Sequence, residues 1–346
     1  SGLINCFGCV NLRNKSNCFL NEQLSKDEYN KRVSEIMGSS ERMAQFRKEF
    51  DEFALKFPRR ENNNLQSVDS TGDYLSECKN VKDSFEILKS EDCRYTFSSK
   101  LIKDSIGTIG YGTNCERLLE CVAVGYSTNI VGTYGAENCQ NILYGFYTSN
   151  CNDCVGCDAL KNGSFAVFNK EYSKEEYEEI KSHIVSELKD QDLYGLIMPP
   201  ALAPFAYNET VAQDNFPLTK EEAIGQGFRW EDDIQQTRGK ETIHSDDIPD
   251  HINDVLDSIT HEVLRCDSCE RNYRITDAEF LFYRKMKLPI PRICFYCRHQ
   301  DRILRRGPYK FWDRKCDNCS KDIITNYSPD RSEIVYCESC YQKEVM

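Results

Sequence analysis

Histidine is absent from the first 182 residues; the five in the chain begin at His183. Acyl transfer that leans on an imidazole base therefore has no support in the first half. No apolar run is long enough to span a bilayer. The best, Leu193 to Tyr207, is broken by Pro199, Pro200 and Pro204, whereas a membrane helix needs about 20 residues. The opening residues lack the basic, apolar and small-residue succession of a secretory signal. The chain starts Ser1-Gly2 rather than with Met, which reads as a fragment or a residual tag. A surplus of positive charge is also missing: 44 Lys and Arg face 56 Asp and Glu, a net −12, which argues against uniform coating of a polyanion.

What is abundant is cysteine, nineteen in 346 residues. In a short secreted chain this would suggest disulfides. In a chain with room for two or three domains, repeated C-x-x-C spacing points to metal and a reducing cytoplasm. Four such pairs close the sequence: Cys266/Cys269, Cys294/Cys297, Cys316/Cys319 and Cys337/Cys340. Two thiolates two residues apart turn around one ion as a knuckle, and two knuckles complete the tetrahedral sulfur shell of structural zinc. Pairing in chain order predicts two tandem four-cysteine zinc ribbons holding two zinc ions; a cross-braced pairing of first with third knuckle is the alternative. His299, two residues beyond Cys297, reads as a surface or supporting residue. A strand over Tyr273–Ile275 and a helix opened by Thr276-Asp277-Ala278-Glu279 are expected in the first ribbon. In the second, strands over Ile323–Thr325 and Ile334–Tyr336 are expected to pair across the Ser328-Pro329-Asp330 turn.

Charge is unevenly placed. Residues 284–315 hold eleven Lys and Arg against Asp301 and Asp313, a local +9, so the rest of the chain carries −21. Residues 171–262 hold 22 Asp and Glu against 7 Lys and Arg. The basic stretch interleaves cations with aromatics, which suits phosphate contact and base stacking. Arg298, Arg302, Arg305, Arg306, Lys310, Trp312 and Arg314 are the candidate partner-binding residues, for nucleic acid (RNA or a single strand) or for protein. The acidic connector could mask them internally.

The middle of the chain repeats every six residues. Cys115, Cys121, Ser127, Thr133, Cys139, Gly145, Cys151, Cys157 and Gly163 are small, and Leu118, Val124, Ile130, Ala136 and Ile142 follow three positions later. A sustained hexad marks a β-helix, whose stacked coils share one core. Three hexads give about 18 residues per coil, which would stack Cys121, Cys139 and Cys157. Cys151, Cys154 and Cys157 are either compact core fillers or a further metal site. Asp153 and Asp158 are the carboxylates an enzyme acting on a glycan or nucleotide in a solenoid groove could use.

Residues 5–37 also align with 153–185 at a constant offset of 148, with 13 of 33 positions identical. Both copies run into a capping box, at Ser25 and Ser173, that opens a helix. The first copy lacks upstream coils, so a preceding solenoid is expected to be truncated. Met43, Phe46, Phe50, Phe53 and Phe57 then trace an amphipathic helix closed by Pro58, and residues 248–264 are expected to form another.

The motifs Arg265-Cys266-x-x-Cys269, Phe282-Tyr283-Arg284-Lys285-Met286, Leu288-Pro289-x-Pro291-Arg292-x-Cys294 and Tyr336-Cys337-Glu338-x-Cys340-Tyr341 resemble an uncharacterised group of cysteine-rich β-solenoid and tandem zinc-ribbon proteins from candidate-phyla bacteria. That resemblance implies no activity, substrate or catalytic residue. The expected organisation is a duplicated coil end with helices (1–60), a β-solenoid (70–168), a terminating helix (172–190), an acidic connector (191–262) and the ribbons (263–346). The whole is mainly β with helical caps. A non-enzymatic, cytoplasmic, zinc-binding scaffold with a basic partner site is the expected function.

Overall fold

A computed structural model describes residues 2–345. The chain is mainly β, with helices α1 (Lys26–Ile36), α2 (Ser40–Ala54), α3 (Lys174–Asp190), α4 (Val211–Asn215), α5 (Lys220–Gly225), α6 (Asp277–Met286), α7 (Phe295–Arg306) and α8 (Glu338–Val345). It divides into two compact units. One takes residues up to Glu61, Asn208–Pro217 and residues from Glu231; the other takes Asn62–Tyr207 and Leu218–Trp230.

The second unit is built on a 14-stranded sheet, parallel except at its last pairing. Thr128–Val131 pairs with Gln140–Leu143, which pairs with Asn152–Val155, which pairs with Ser164–Val167. Each step advances twelve residues, so the expected 18-residue spacing is corrected to twelve. The expected Cys121, Cys139 and Cys157 ladder is replaced by Ser127, Cys139 and Cys151. The hexad survives the correction because both twelve and eighteen are multiples of six.

Every third residue along this sheet points inward, and the residue before it sits in the left-handed region, as at Asn80, Asn129, Asn141 and Asp153. Asn and Asp tolerate that conformation best among residues with a side chain. Inward Val81, Ile87, Ile102, Leu118, Ile130 and Ile142 are almost wholly buried in one cluster, each contributing about 1.5–3 kcal/mol by leaving water. Between them stand small polar side chains that complete backbone hydrogen bonding. The oxygens of Ser84, Ser127 and Thr133 accept the N–H of Thr96, Cys139 and Gly145 at 3.1, 3.0 and 3.1 Å. Cys139 and Cys157 sulfurs do the same for Cys151 and Asn169, each at 3.4 Å. A buried N–H left unpaired is costly, which explains why Ser, Thr and Cys share these positions.

At Ile102–Tyr111 and Cys115–Gly125 the offset is thirteen, Ile102 facing Cys115. One extra residue near Gly112 slips the hexad phase between two stretches that each advance by twelve, which is why the upstream repeat is out of step with that from Cys115 onward. The strand Lys170–Glu171 folds back antiparallel on Ser164–Val167. Ser173 then caps α3 with a full capping box, and Tyr177 buries its ring beside Leu143, Val155 and Val167.

The first unit repeats that ending. Ile4–Phe7 pairs in parallel with Ser16–Phe19, which folds back on Glu22–Gln23, and Ser25 caps α1. Cys18 faces Gln23 as Ala166 faces Glu171, both separated by the 148-residue offset seen in sequence. The predicted phenylalanine helix is α2, and it packs on these strands: Phe46 lies 4.7 Å from Phe7 and 5.5 Å from Phe19 between ring centroids. Residues 248–264 do not form the expected helix; two 3-10 turns, Ile252–Asp254 and Asp257–His261, bury Ile252 and Ile259 instead. Single-turn segments suffice there because Ile248, Ile252, Val255 and Ile259 insert into the core containing Phe280 and Ile290.

Candidate metal centres and a basic helix

Two sulfur clusters form in the first unit. Cys266, Cys269, Cys294 and Cys297 make one, and Cys316, Cys319, Cys337 and Cys340 the other; within each, all ligand atoms lie within 4.8 Å. Knuckles therefore come together in chain order, and the cross-braced alternative is overturned. The two centres are built alike. The residues after Cys269 and Cys319, Glu270 and Ser320, take the left-handed conformation. Each donates its N–H back to the first cysteine's carbonyl, at 2.9 and 2.8 Å. The third cysteine of each set, Cys294 or Cys337, donates its N–H to the sulfur of the first, Cys266 or Cys316, at 3.2 Å. Backbone N–H bonds to sulfur stabilise thiolate, the form that binds metal.

The thiols respond accordingly. Burial pushes Cys266 up, but N–H bonds from Cys294, Cys269 and Ser268 bring it down to about 7. The Ser339 hydroxyl holds Cys337 down to about 6. Burial, despite a bond from Ser268, and the neighbouring thiols push Cys297 up to about 12. Asn318 favours the Cys340 thiolate, yet Cys319 and burial prevail and raise it to about 12. Four sulfurs within 4.8 Å of one another, with Cys266 and Cys297, Cys269 and Cys294, and Cys319 and Cys337 only 3.7–3.8 Å apart, cannot all ionise unless a cation sits among them. Either set could hold a metal ion.

Among the described residues these two are the groups that could hold an ion through three or more ligands. Cys151, Cys154 and Cys157 instead donate to carbonyls two residues back, at 3.3, 3.4 and 3.6 Å. His299 lies beside Asp214 at 3.4 Å and stacks on Phe295, outside the sulfur cluster.

Local pairing in the ribbons differs from expectation. Asn272–Tyr273 pairs with Leu264–Arg265. Asp322–Thr325 pairs with Trp312–Lys315 rather than across the Ser328 turn, and Val335–Tyr336 pairs in parallel with Arg59–Arg60. Val335 and Tyr336 find a partner distant in sequence because Arg60 also ion-pairs with Glu338. A helix missed in the sequence, α7, follows Cys294 as its N-terminal cap and contains Cys297, both of the first sulfur cluster. Its signal was the stop at Gly307-Pro308 after a run of good helix formers. None of its twelve residues is buried, so it presents charge.

The candidate partner residues are distributed around that helix. Arg298, Arg302 and Arg305 recur at 3–4 spacing on one face. Arg305 bonds both carboxylate oxygens of Asp51 of α2, at 3.1 and 3.3 Å, and Arg47 reaches Asp301 at 3.5 Å. Arg298 is held by Tyr283 at 2.9 Å and Glu279 at 3.3 Å. Arg306 lies over Tyr309 at 4.0 Å and bonds Asn215 at 2.6 Å. Lys310 stands over Trp312 at 5.3 Å. Arg314 is turned inward to the Ser328 and Glu333 carbonyls and Asp317. Part of the acidic connector, α4 and its flank, lies on α7: Asp214 meets His299 and Gln300, and Phe216 packs 6.2 Å from Tyr309.

The carboxylates considered for an enzyme do not converge. Asp153 accepts from Asn141 at 2.9 Å in an outward Asn ladder, and Asp158 is exposed. A shallow cavity of about 300 Å³ on the large sheet, between Tyr111 and Tyr147, carries one carboxylate, Glu137.

No protein-family model and no curated protein matches the chain. Among solved structures it is similar to a Bacillus cereus protein titled "putative acetyltransferase", at 9% identity over 37% of this chain and 90% of that one, with a TM-score of 0.12. At that score the likeness carries no argument about fold or activity.

Proposed function

We propose that this protein is a non-catalytic zinc-binding scaffold whose basic C-terminal ribbons bind single-stranded nucleic acid. In this reading the twelve-residue register closes the large sheet into a β-solenoid, and each four-cysteine group holds one zinc ion. Zinc is the fitting metal because an all-cysteine, four-sulfur shell with no open position is its structural coordination. The observation that carries the reading is that α7 begins at a cysteine of the first cluster and buries none of its residues. Metal binding would therefore fix the start of a solvent-facing helix bearing four arginines. Trp312 nearby supplies a face on which a base can stack.

Fluorescence anisotropy of the zinc-loaded full chain with a labelled single-stranded RNA, across a salt series, tests the proposal. Affinity should fall with salt by a slope of about −0.7 per phosphate neutralised. Replacing Arg302, Arg305 and Arg306 with Ala should flatten that slope, and Trp312→Ala should weaken binding with the slope retained. No binding to RNA or single-stranded DNA at low salt, with zinc bound, would replace nucleic acid by a protein partner.

A further inference from the structure

Beside α7 lies a groove of about 820 Å³ with α2 as its other wall and Leu288–Ile293 at its base. The two helices are joined by a repeated ion pair, Arg47 with Asp301 and Asp51 with Arg305. On both helices the paired residues are one turn apart, so the walls run side by side in the same direction. The two carboxylates of the groove are consumed in these pairs. Among the described residues, Lys48 and Arg302 make no ion pair, Arg302 lying over the Phe295 ring at 5.9 Å; Arg292 is held by oxygens of Ser40, Ser245 and Ile248 and faces the charge of Asp250. The base is apolar, supplied by Pro289, Pro291 and Ile293, with Met43 and Ala44 on the α2 wall.

We propose that this groove is a nucleoside-phosphate site, with phosphate met by Lys48 and Arg302 and the base laid on the proline floor. Lys48 and Arg302, free of ion pairs above an apolar surface, match a ligand that is anionic at one end and flat and apolar at the other. The volume falls within the roughly 300–1,000 Å³ of small-molecule sites. In a protein of net charge −12, a groove with a surplus of cations selects for anions by steering as well as contact. The ligand is either a free nucleotide or one nucleotide of a bound strand; in the second case the inference rests on the proposed nucleic-acid function and names where a base is read.

The test uses the zinc-loaded full chain, a labelled twelve-nucleotide oligouridylate, adenosine monophosphate as a separate ligand, and a polyglutamate peptide. Ala44→Phe fills the groove from an exposed helical position and leaves Lys310 and Trp312 outside the groove untouched. Lys48→Glu reverses a charge there. Each variant should lower affinity for oligouridylate at least tenfold, with circular dichroism and zinc content unchanged. RNA binding that ignores both variants overturns the groove while keeping the nucleic-acid reading. Binding of adenosine monophosphate alone, lost in Ala44→Phe, sustains the groove and overturns strand binding. Binding of polyglutamate alone, or of none of the three, overturns both.

Discussion

The sulfur of Cys139 accepts the backbone N–H of Cys151 at 3.4 Å and donates its own proton to the Glu137 carbonyl at 3.2 Å. One thiol thus satisfies two backbone groups. Cys139→Ser keeps both bonds and should cost less than about 1 kcal/mol, whereas Cys139→Ala strands the Cys151 N–H and should cost about 1–3 kcal/mol. Urea denaturation of the two variants measures the difference. Equal losses would show that the sulfur acts by volume alone.

The same bonds explain what the sequence could and could not disclose. The hexad and its small residues were readable because every third side chain enters a core where bulk is limited. The strand register was misread because the hexad divides both twelve and eighteen. The distinguishing signal sat on the outer face: Asn129, Asn141 and Asp153, and Asn138, Asn150 and Asn162, recur every twelve residues and hydrogen-bond in series at 2.8–3.3 Å. The sulfur clusters were legible from spacing, since C-x-x-C is itself the knuckle. The pairing of Val335–Tyr336 with Arg59–Arg60 was not, because two-residue strands far apart in sequence leave no local pattern.

Asp73 predicts a pH effect. Its carboxyl is fully buried; Oδ1 accepts from Asn63 and Tyr74, while Oδ2 has no partner. Burial raises it above the ordinary carboxylate range, against the pull of the Asn63 and Tyr74 N–H groups. A raised folded value means that the folded state holds the proton more tightly than the unfolded chain. The contribution is fully present below the unfolded value of about 3.9 and is lost as pH rises through the folded one. Relative to Asp73→Asn, the native chain should therefore lose thermal stability from about pH 4 upward and then level off. A difference in Tm independent of pH would remove Asp73 as the cause.

Asp214 sits on α7 beside His299 and Gln300. If this part of the connector competes with an anionic ligand for the helix, Asp214→Asn in the full chain should tighten RNA binding about two- to fivefold, most at low salt where exposed charges are least screened. Anisotropy titrations of the two proteins at low and at near-physiological salt check this. Unchanged or weaker binding would make α4 a structural support only.

Metal removal should act on one part of the protein. Chelation under reducing conditions should unfold the ribbons, where Cys316, Cys337 and Cys340 form much of a small core, while the amides of Ile130 and Ile142 stay protected from hydrogen exchange. Cys294→Ser should reproduce the loss in the first ribbon. Simultaneous loss of protection in the large sheet would contradict this separation.

The most direct measurement is elemental analysis paired with native mass spectrometry of the reduced, folded full chain. Two zinc ions per chain are expected, falling to one when Cys266 or Cys316 is replaced by Ser. Three ions would point to a further site among the thiols of the large sheet, and a folded chain that carries no tightly bound metal would contradict the zinc-scaffold reading outright.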